Sequence, residues 1–126
     1  MATLTKVKIK QGTTPALEVI VDGVALQGAT VYLSFNTNGG TIVKSNYHND
    51  GDMLIEPVYD GEEQVGTSIL VQFTQEETLH MRPGTARVEA GWILEDGSAD
   101  KSDIGVFNVT RSLLKEVMKY GNEYTS

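Results

Sequence analysis

Two histidines, His48 and His80, and 17 carboxylates are the side chains of this 126-residue chain best able to move protons or hold a metal. Such chemistry needs a nucleophile, base or ligand set held in mutual reach. His48 falls in the polar turn His48-Asn49-Asp50-Gly51-Asp52, and His80 follows a predicted one-turn helix beside Met81. Both read as solvated or rim side chains. No Gly-x-Ser-x-Gly elbow, His-Glu-x-x-His helix or Gly-rich phosphate loop occurs. The chain has no cysteine, so a thiolate zinc site, a cysteine nucleophile and a disulfide framework are all ruled out. Hydrolase and nucleotide-binding functions lack their parts, and no catalytic residue, cofactor or metal is expected.

Calcium is the sharpest chemical alternative. Asp96-Gly97-Ser98-Ala99-Asp100-Lys101-Ser102-Asp103 offers oxygen ligands at alternate positions, as an EF-hand loop begins. The pattern then breaks, because Lys101 stands where the sharp-turn Gly belongs and Phe107 where the bidentate Glu belongs. Asn49-Asp50-Gly51-Asp52 has the composition of a calcium loop without its length. Asp and Asn favour turns for local hydrogen-bonding reasons, so ordinary turns are expected at both places. Carboxylate pairs of the glycosidase kind would have to come from Asp60, Glu62, Glu63, Glu76 and Glu77, which fall in turn-like segments. An enzyme with such a site is the weakest rival. Tyr32, Tyr47 and Tyr59 are expected to point outward and could form a shallow sugar platform, whereas Trp92 reads as core.

A net charge of −7 disfavours nucleic acid, because phosphate binding needs clustered Lys and Arg. No window approaches the 18 continuous apolar residues of a membrane helix, so no membrane partner is expected. The opening residues show no apolar leader, which points to synthesis in a cytoplasm. Charge is unevenly spread: Lys6, Lys8 and Lys10 crowd one segment, and Asp50, Asp52, Glu56, Asp60, Glu62 and Glu63 another. Two solvated faces are the simpler reading, and a head-to-tail contact between subunits is the other.

The elements that would carry these residues are strands, because apolar and polar residues alternate along most of the chain. Alternating runs cover Lys6–Lys10, Leu17–Asp22, Val31–Asn36, Thr41–Tyr47, Met53–Glu56, Thr67–Thr74, Thr85–Glu95 and Ile104–Thr110. Asn38-Gly39-Gly40 predicts a hairpin. Pro57 argues for an edge strand or an early stop. Thr74 with Glu77 has the spacing of a capping box, so a single helical turn is expected over 75–79. About seven short strands separated by Gly and Asn/Asp turns predict an all-β fold, an antiparallel β-sandwich, with a small barrel as the alternative. Only the end changes period. Ser112–Gly121 fits a short C-terminal α-helix with Ser112 as N-cap and Gly121 as C′. Leu113, Leu114, Val117 and Met118 form its apolar stripe, and with Tyr120 they are the expected interaction residues. The organisation expected is one β-sandwich domain over residues 1–111, then a helix and frayed tail over 112–126.

The order of motifs resembles a known group. Leu26-Gln27-Gly28-Ala29-Thr30-Val31-Tyr32-Leu33-Ser34-Phe35 is similar to the opening strand of small β-sandwich domains in phage tail and baseplate proteins, with the baseplate upper-protein family the nearest. Ile69–Leu79 followed by Pro83-Gly84 resembles that group's strand, turn and Pro-Gly corner. Thr85–Leu94, Asp96-Gly97 and Gly105–Val109 resemble its closing strands, in order. The resemblance implies an immunoglobulin-like sandwich and a non-enzymatic virion structural or assembly protein of a phage or prophage. Its partners would be other virion subunits and copies of itself, and it would reside in the virion after synthesis in the bacterial host cytoplasm. The rival is an immunoglobulin-like carbohydrate- or surface-binding module.

Overall fold

The computed structural model describes residues 2–4, 8–47 and 52–121. The elements are β1 (Ala2–Leu4), β2 (Lys8–Lys10), β3 (Ala16–Asp22), β4 (Thr30–Thr37), β5 (Gly40–Ser45), β6 (Met53–Asp60), β7 (Glu63–Gln72), α1 (Gln75–His80), β8 (Gly84–Ile93), β9 (Ala99–Lys101) and β10 (Gly105–Thr110). They form two sheets. One has the order β1-β3-β7-β6, and the other the order β2-β10-β8-β4-β5 with β9 extending the β10 side of β8. All pairings are antiparallel except β2 with β10, which run parallel.

Alternation sets which side each residue faces. Leu17, Val19 and Val21 of β3 pair in register with Val71, Ile69 and Thr67 of β7, all buried. In the second sheet Val31, Leu33 and Phe35 of β4 pair with Trp92, Ala90 and Val88 of β8, equally buried. These inward rows form one continuous core between the sheets. Phe35 joins the layers: its ring meets Phe73 edge-on at 4.9 Å and Phe107 at 6.2 Å.

The Leu26-x-Gly-Ala segment has a clear local cause. Leu26 is buried, its amide donates to the Thr67 hydroxyl, and that hydroxyl donates to the Val24 carbonyl. Gly28 turns the chain at φ +82°, and Asn46 clamps the start of β4 by accepting from Val31 N and donating to Ala29 O. Helix α1 carries the expected capping box, Thr74 Oγ1 accepting from Glu77 N and Glu77 Oε1 from Thr74 N. Gly39, at the tip of the β4–β5 hairpin, lies so close to the end of α1 that a Cβ there would fall 1.9 Å from the His80 carbonyl oxygen.

One inward position breaks the apolar pattern. Lys44 of β5 is 1% exposed and sits opposite buried Leu33. Its ammonium donates to the Gln72 carbonyl at 2.9 Å, to Glu77 Oε1 at 2.9 Å and to Asp52 Oδ2 at 3.4 Å. It also lies 5.2 Å from the Phe73 ring centroid. All three donors thus have acceptors, which is what a buried ammonium requires. The arrangement ties β5 of one sheet to the end of β7 in the other and to the cap of α1. Among the described residues no buried side-chain nitrogen or oxygen lacks a hydrogen-bond partner.

Several expectations are corrected. The described residues form ten strands rather than about seven, since β1 and β9 are short additions to sheet edges. Two separate sheets replace the alternative of a barrel. The strand containing Pro57 is an edge, but it does not stop early: β6 runs on to Asp60 through a register shift at Val58/Tyr59. No α-helix forms at Ser112–Gly121, where the backbone is irregular. A ten-residue helix is marginal unless packing supports it. Here the stripe meant to supply that packing is exposed, with Leu113 at 96%.

Removing the ammonium together with its stem should cost more than removing the ammonium alone. Lys44→Ala is expected to lower unfolding free energy by about 2–4 kcal/mol, and Lys44→Met by about 1–2 kcal/mol, in urea denaturation. Gly39→Ala forces the hairpin off α1 and should cost about 2 kcal/mol by the same measurement.

Candidate interaction surface

Residues 111–121 cross one end of the molecule without burying their apolar side chains. Leu113 is 96% exposed, Tyr120 79%, and Leu114, Val117 and Met118 about half exposed. The segment is held by amide side chains instead. Gln11 Oε1 accepts from Ser112 N at 3.1 Å and from Lys115 Nζ at 2.5 Å, while Gln11 Nε2 donates to Met81 O at 2.8 Å. Gln75 pairs with the Met118 backbone in both directions, at 2.8 and 2.7 Å. Ser112 does not cap a helix. Its hydroxyl accepts from Leu114 N and donates to Leu114 O, a local alternative that competes with helix formation. Gln11 and Gln75 were not singled out in the sequence, because an amide in a turn or a helix carries no pattern of its own.

The outer faces of the sheets differ in charge. Strands β1, β3, β6 and β7 carry Glu18, Asp22, Glu56, Asp60 and Glu63 and no Lys, Arg or His. On their outward side Glu18 pairs across to Leu70 and Leu54, and Ile20 to Ser68 and Glu56. The opposite sheet turns Lys8, Lys10, Arg87 and Lys101 outward, with Glu89 and exposed Asp100 the acids among them. Exposed Tyr32, Val43, Ile93, Ile104 and Val106 accompany them.

Shallow depressions open on the surface, three of them among the described residues as follows. One of about 470 Å³ is lined by Lys8, Lys10, Thr110 and the 13–15 turn. A second, about 230 Å³, lies over Ser34, Asn36, Arg87, Glu89 and Ile104. The third, about 360 Å³, is bordered by Tyr32, Trp92, Ile93, Asp100 and Lys101. None of the three brings two carboxylates together.

The remaining sequence candidates are scattered. His48 and Asn49-Asp50-Gly51 lie outside the described residues. His80 is exposed in the last turn of α1, its Nδ1 against Glu76 O at 2.7 Å. Trp92 is buried, as expected, and Tyr32, Tyr47 and Tyr59 are exposed. Tyr32 and Tyr59 belong to different sheets, so they do not share one platform. Among the described residues no three His, Cys, Asp or Glu side chains converge as metal ligands. The Asp96–Asp103 stretch is a hairpin turn closed by β9. Asp96 Oδ1 accepts from the Ser98 hydroxyl at 2.5 Å and from Ser98 N at 2.8 Å.

Those Ser98 hydrogen bonds, the hydroxyl first and then the backbone, hold the Asp96 carboxyl below its ordinary value. The support they lend the turn is present above the ordinary aspartate pKa and is lost as pH falls through the lowered one. Carboxyl-carbon NMR titration is expected to place Asp96 below a free aspartate, and Ser98→Ala to return it upward. No protein-family model and no curated protein sequence matches this chain.

Proposed function

We propose that this chain is a non-enzymatic structural or assembly protein of a phage or prophage virion, of the tail or baseplate type. It acts through contacts with other virion subunits and with its own copies. The observation that carries this reading is the segment from Arg111 to Gly121. Its large apolar side chains stay in water while hydrogen bonds from Gln11 and Gln75 hold its backbone in place. Solvent-exposed apolar side chains grouped in this way mark a surface that another protein covers.

The strand order supports the finer fold reading. An immunoglobulin sandwich places its first, second, fifth and fourth strands in one sheet and its third, sixth and seventh in the other. The orders β1-β3-β7-β6 and β10-β8-β4-β5 follow that plan, with β5 added beside β4. An immunoglobulin-like sandwich is therefore the fold we assign, and it agrees with the resemblance to phage tail and baseplate domains. For a carbohydrate- or surface-binding module, the supporting observation is the depression at Tyr32, Trp92 and Ile93. Glycan binding abolished by Tyr32→Ala would favour that rival.

Truncation after Arg111 tests the assembly reading. The shortened chain is expected to keep its unfolding free energy within about 1 kcal/mol, since the deleted side chains bury little. Light scattering should show it losing an association that the full chain displays. Unfolding on truncation, or an unchanged oligomeric state, would refute the role given to Leu113, Leu114, Val117, Met118 and Tyr120.

A further inference from the structure

Among the described residues the only buried amine is Lys44 Nζ, and the assembly reading gives it no chemistry. It sits between two carboxylates that are held in different ways. Glu77 Oε1, 2.9 Å from Nζ, is also fixed by the Thr74 amide at 2.9 Å. Asp52 Oδ2 lies 3.4 Å from Nζ and, among the described residues, is held by Lys44 alone. The lysine side chain is 1% exposed and that of Asp52 44%. The Phe73 ring stands 5.2 Å from Nζ, with Phe35 packed edge-on against it. An amine, an electrophilic carboxyl and a fixed proton acceptor thus meet where a dry core opens to solvent.

We propose that Lys44 and Asp52 condense to a side-chain amide, with Glu77 carrying the proton. The bond forms within one molecule and needs no partner, so it stands apart from the assembly reading. Nζ passes one proton to Glu77, which hands it to an oxygen of Asp52. The amine lone pair then forms a bond to Asp52 Cγ. A second proton moves from the nitrogen to the same oxygen, the Cγ–O bond breaks, and that oxygen leaves as water. One ammonium and one carboxylate become one amide and one water. Glu77 regains its charge, and no oxidant or co-reactant is consumed. The hydrogen left on the nitrogen keeps the Gln72 carbonyl, 2.9 Å from Nζ before reaction, as its acceptor.

In bulk water the hydrated ions are favoured over the amide. Burial strips the lysine of hydration, and a neutral amide costs far less to bury than an ion. Fixed placement replaces a chance encounter between free groups. The open side at Asp52 gives the water a way out. Glu77 is tied down by the cap of α1, whereas Asp52 has no such tie and can turn its carbonyl carbon toward the amine. The amide would join β5, the edge of one sheet, to the start of β6, the edge of the other. One side of the sandwich would then be fastened covalently.

Mass spectrometry of the full chain under denaturing conditions tests the bond, because ion pairs do not survive there. The chain is expected to weigh one water less than its sequence. Trypsin should fail at Lys44, giving one product from Gln11 to Arg82 in place of Gln11–Lys44 and Ser45–Arg82. Fragmentation should place the link between Lys44 and Asp52. Asp52→Ala, a change at a half-exposed side chain, should restore the full mass and the cut at Lys44. Lys44→Met should restore the full mass as well. In freshly synthesised chain, Glu77→Gln, which keeps an oxygen for the Thr74 amide, should slow condensation at least about tenfold. Full mass with a normal cut at Lys44 in the parent would overturn the proposal. So would a link from Lys44 to Glu77, or a Glu77→Gln variant reacting at the parental rate. Loss of water with Lys44 still open to trypsin would mark a succinimide at an Asp-Gly pair such as Asp96-Gly97, and would overturn it too.

Discussion

The buried Lys44 ammonium is the constraint around which the two sheets are arranged. An ion without water must be met by acceptors on every donor, or the fold loses several kcal/mol. Here the acceptors come from three places: the end of β7, the first turn of α1 and Asp52 just before β6. Glu77 Oε1 serves both the capping box and the lysine, so helix start and sheet junction share one oxygen. That sharing explains why a six-residue helix, too short to persist alone, holds its position. It also fixes the β4–β5 hairpin against the far end of the same helix, where Gly39 leaves no room for a side chain.

Little of this junction was legible beforehand. The alternation of Val31, Leu33 and Phe35, or of Ala86, Val88, Ala90 and Trp92, reads directly as an inward face because burial in a sheet has a period of two. Lys44 occupies the same kind of inward position, yet its type predicts solvent, and only acceptors distant in sequence reverse that. Thr74 and Glu77 were readable as a cap because their partners are local. The strands β1 and β9 were not, since three residues give no period to detect. The terminal stripe shows the opposite failure. Leu113, Leu114, Val117 and Met118 have helical spacing, but spacing favours a helix only when something buries the stripe, and among the described residues it stays about half to almost fully exposed.

Charge behaved in a similar way. The sequence shows that lysines and carboxylates are segregated along the chain, and two solvated faces were the simpler expectation. Strand pairing converts segregation along the chain into segregation across the molecule. Glu18 and Glu56 are far apart in sequence, but both neighbour β7, at Leu70 and Ser68 respectively. Lys8 joins Arg87 and Lys101 on one sheet only because β2 pairs parallel to β10. Polarity of the faces is therefore a product of topology.

A sheet edge presents unpaired backbone donors and acceptors, and this fold keeps its edges from pairing at random. The edge strands show how this is done. Pro57 withholds a backbone donor on β6, and the register shift at Val58/Tyr59 twists that edge further along. On the other sheet β2 is only three residues long and presents Lys8 and Lys10.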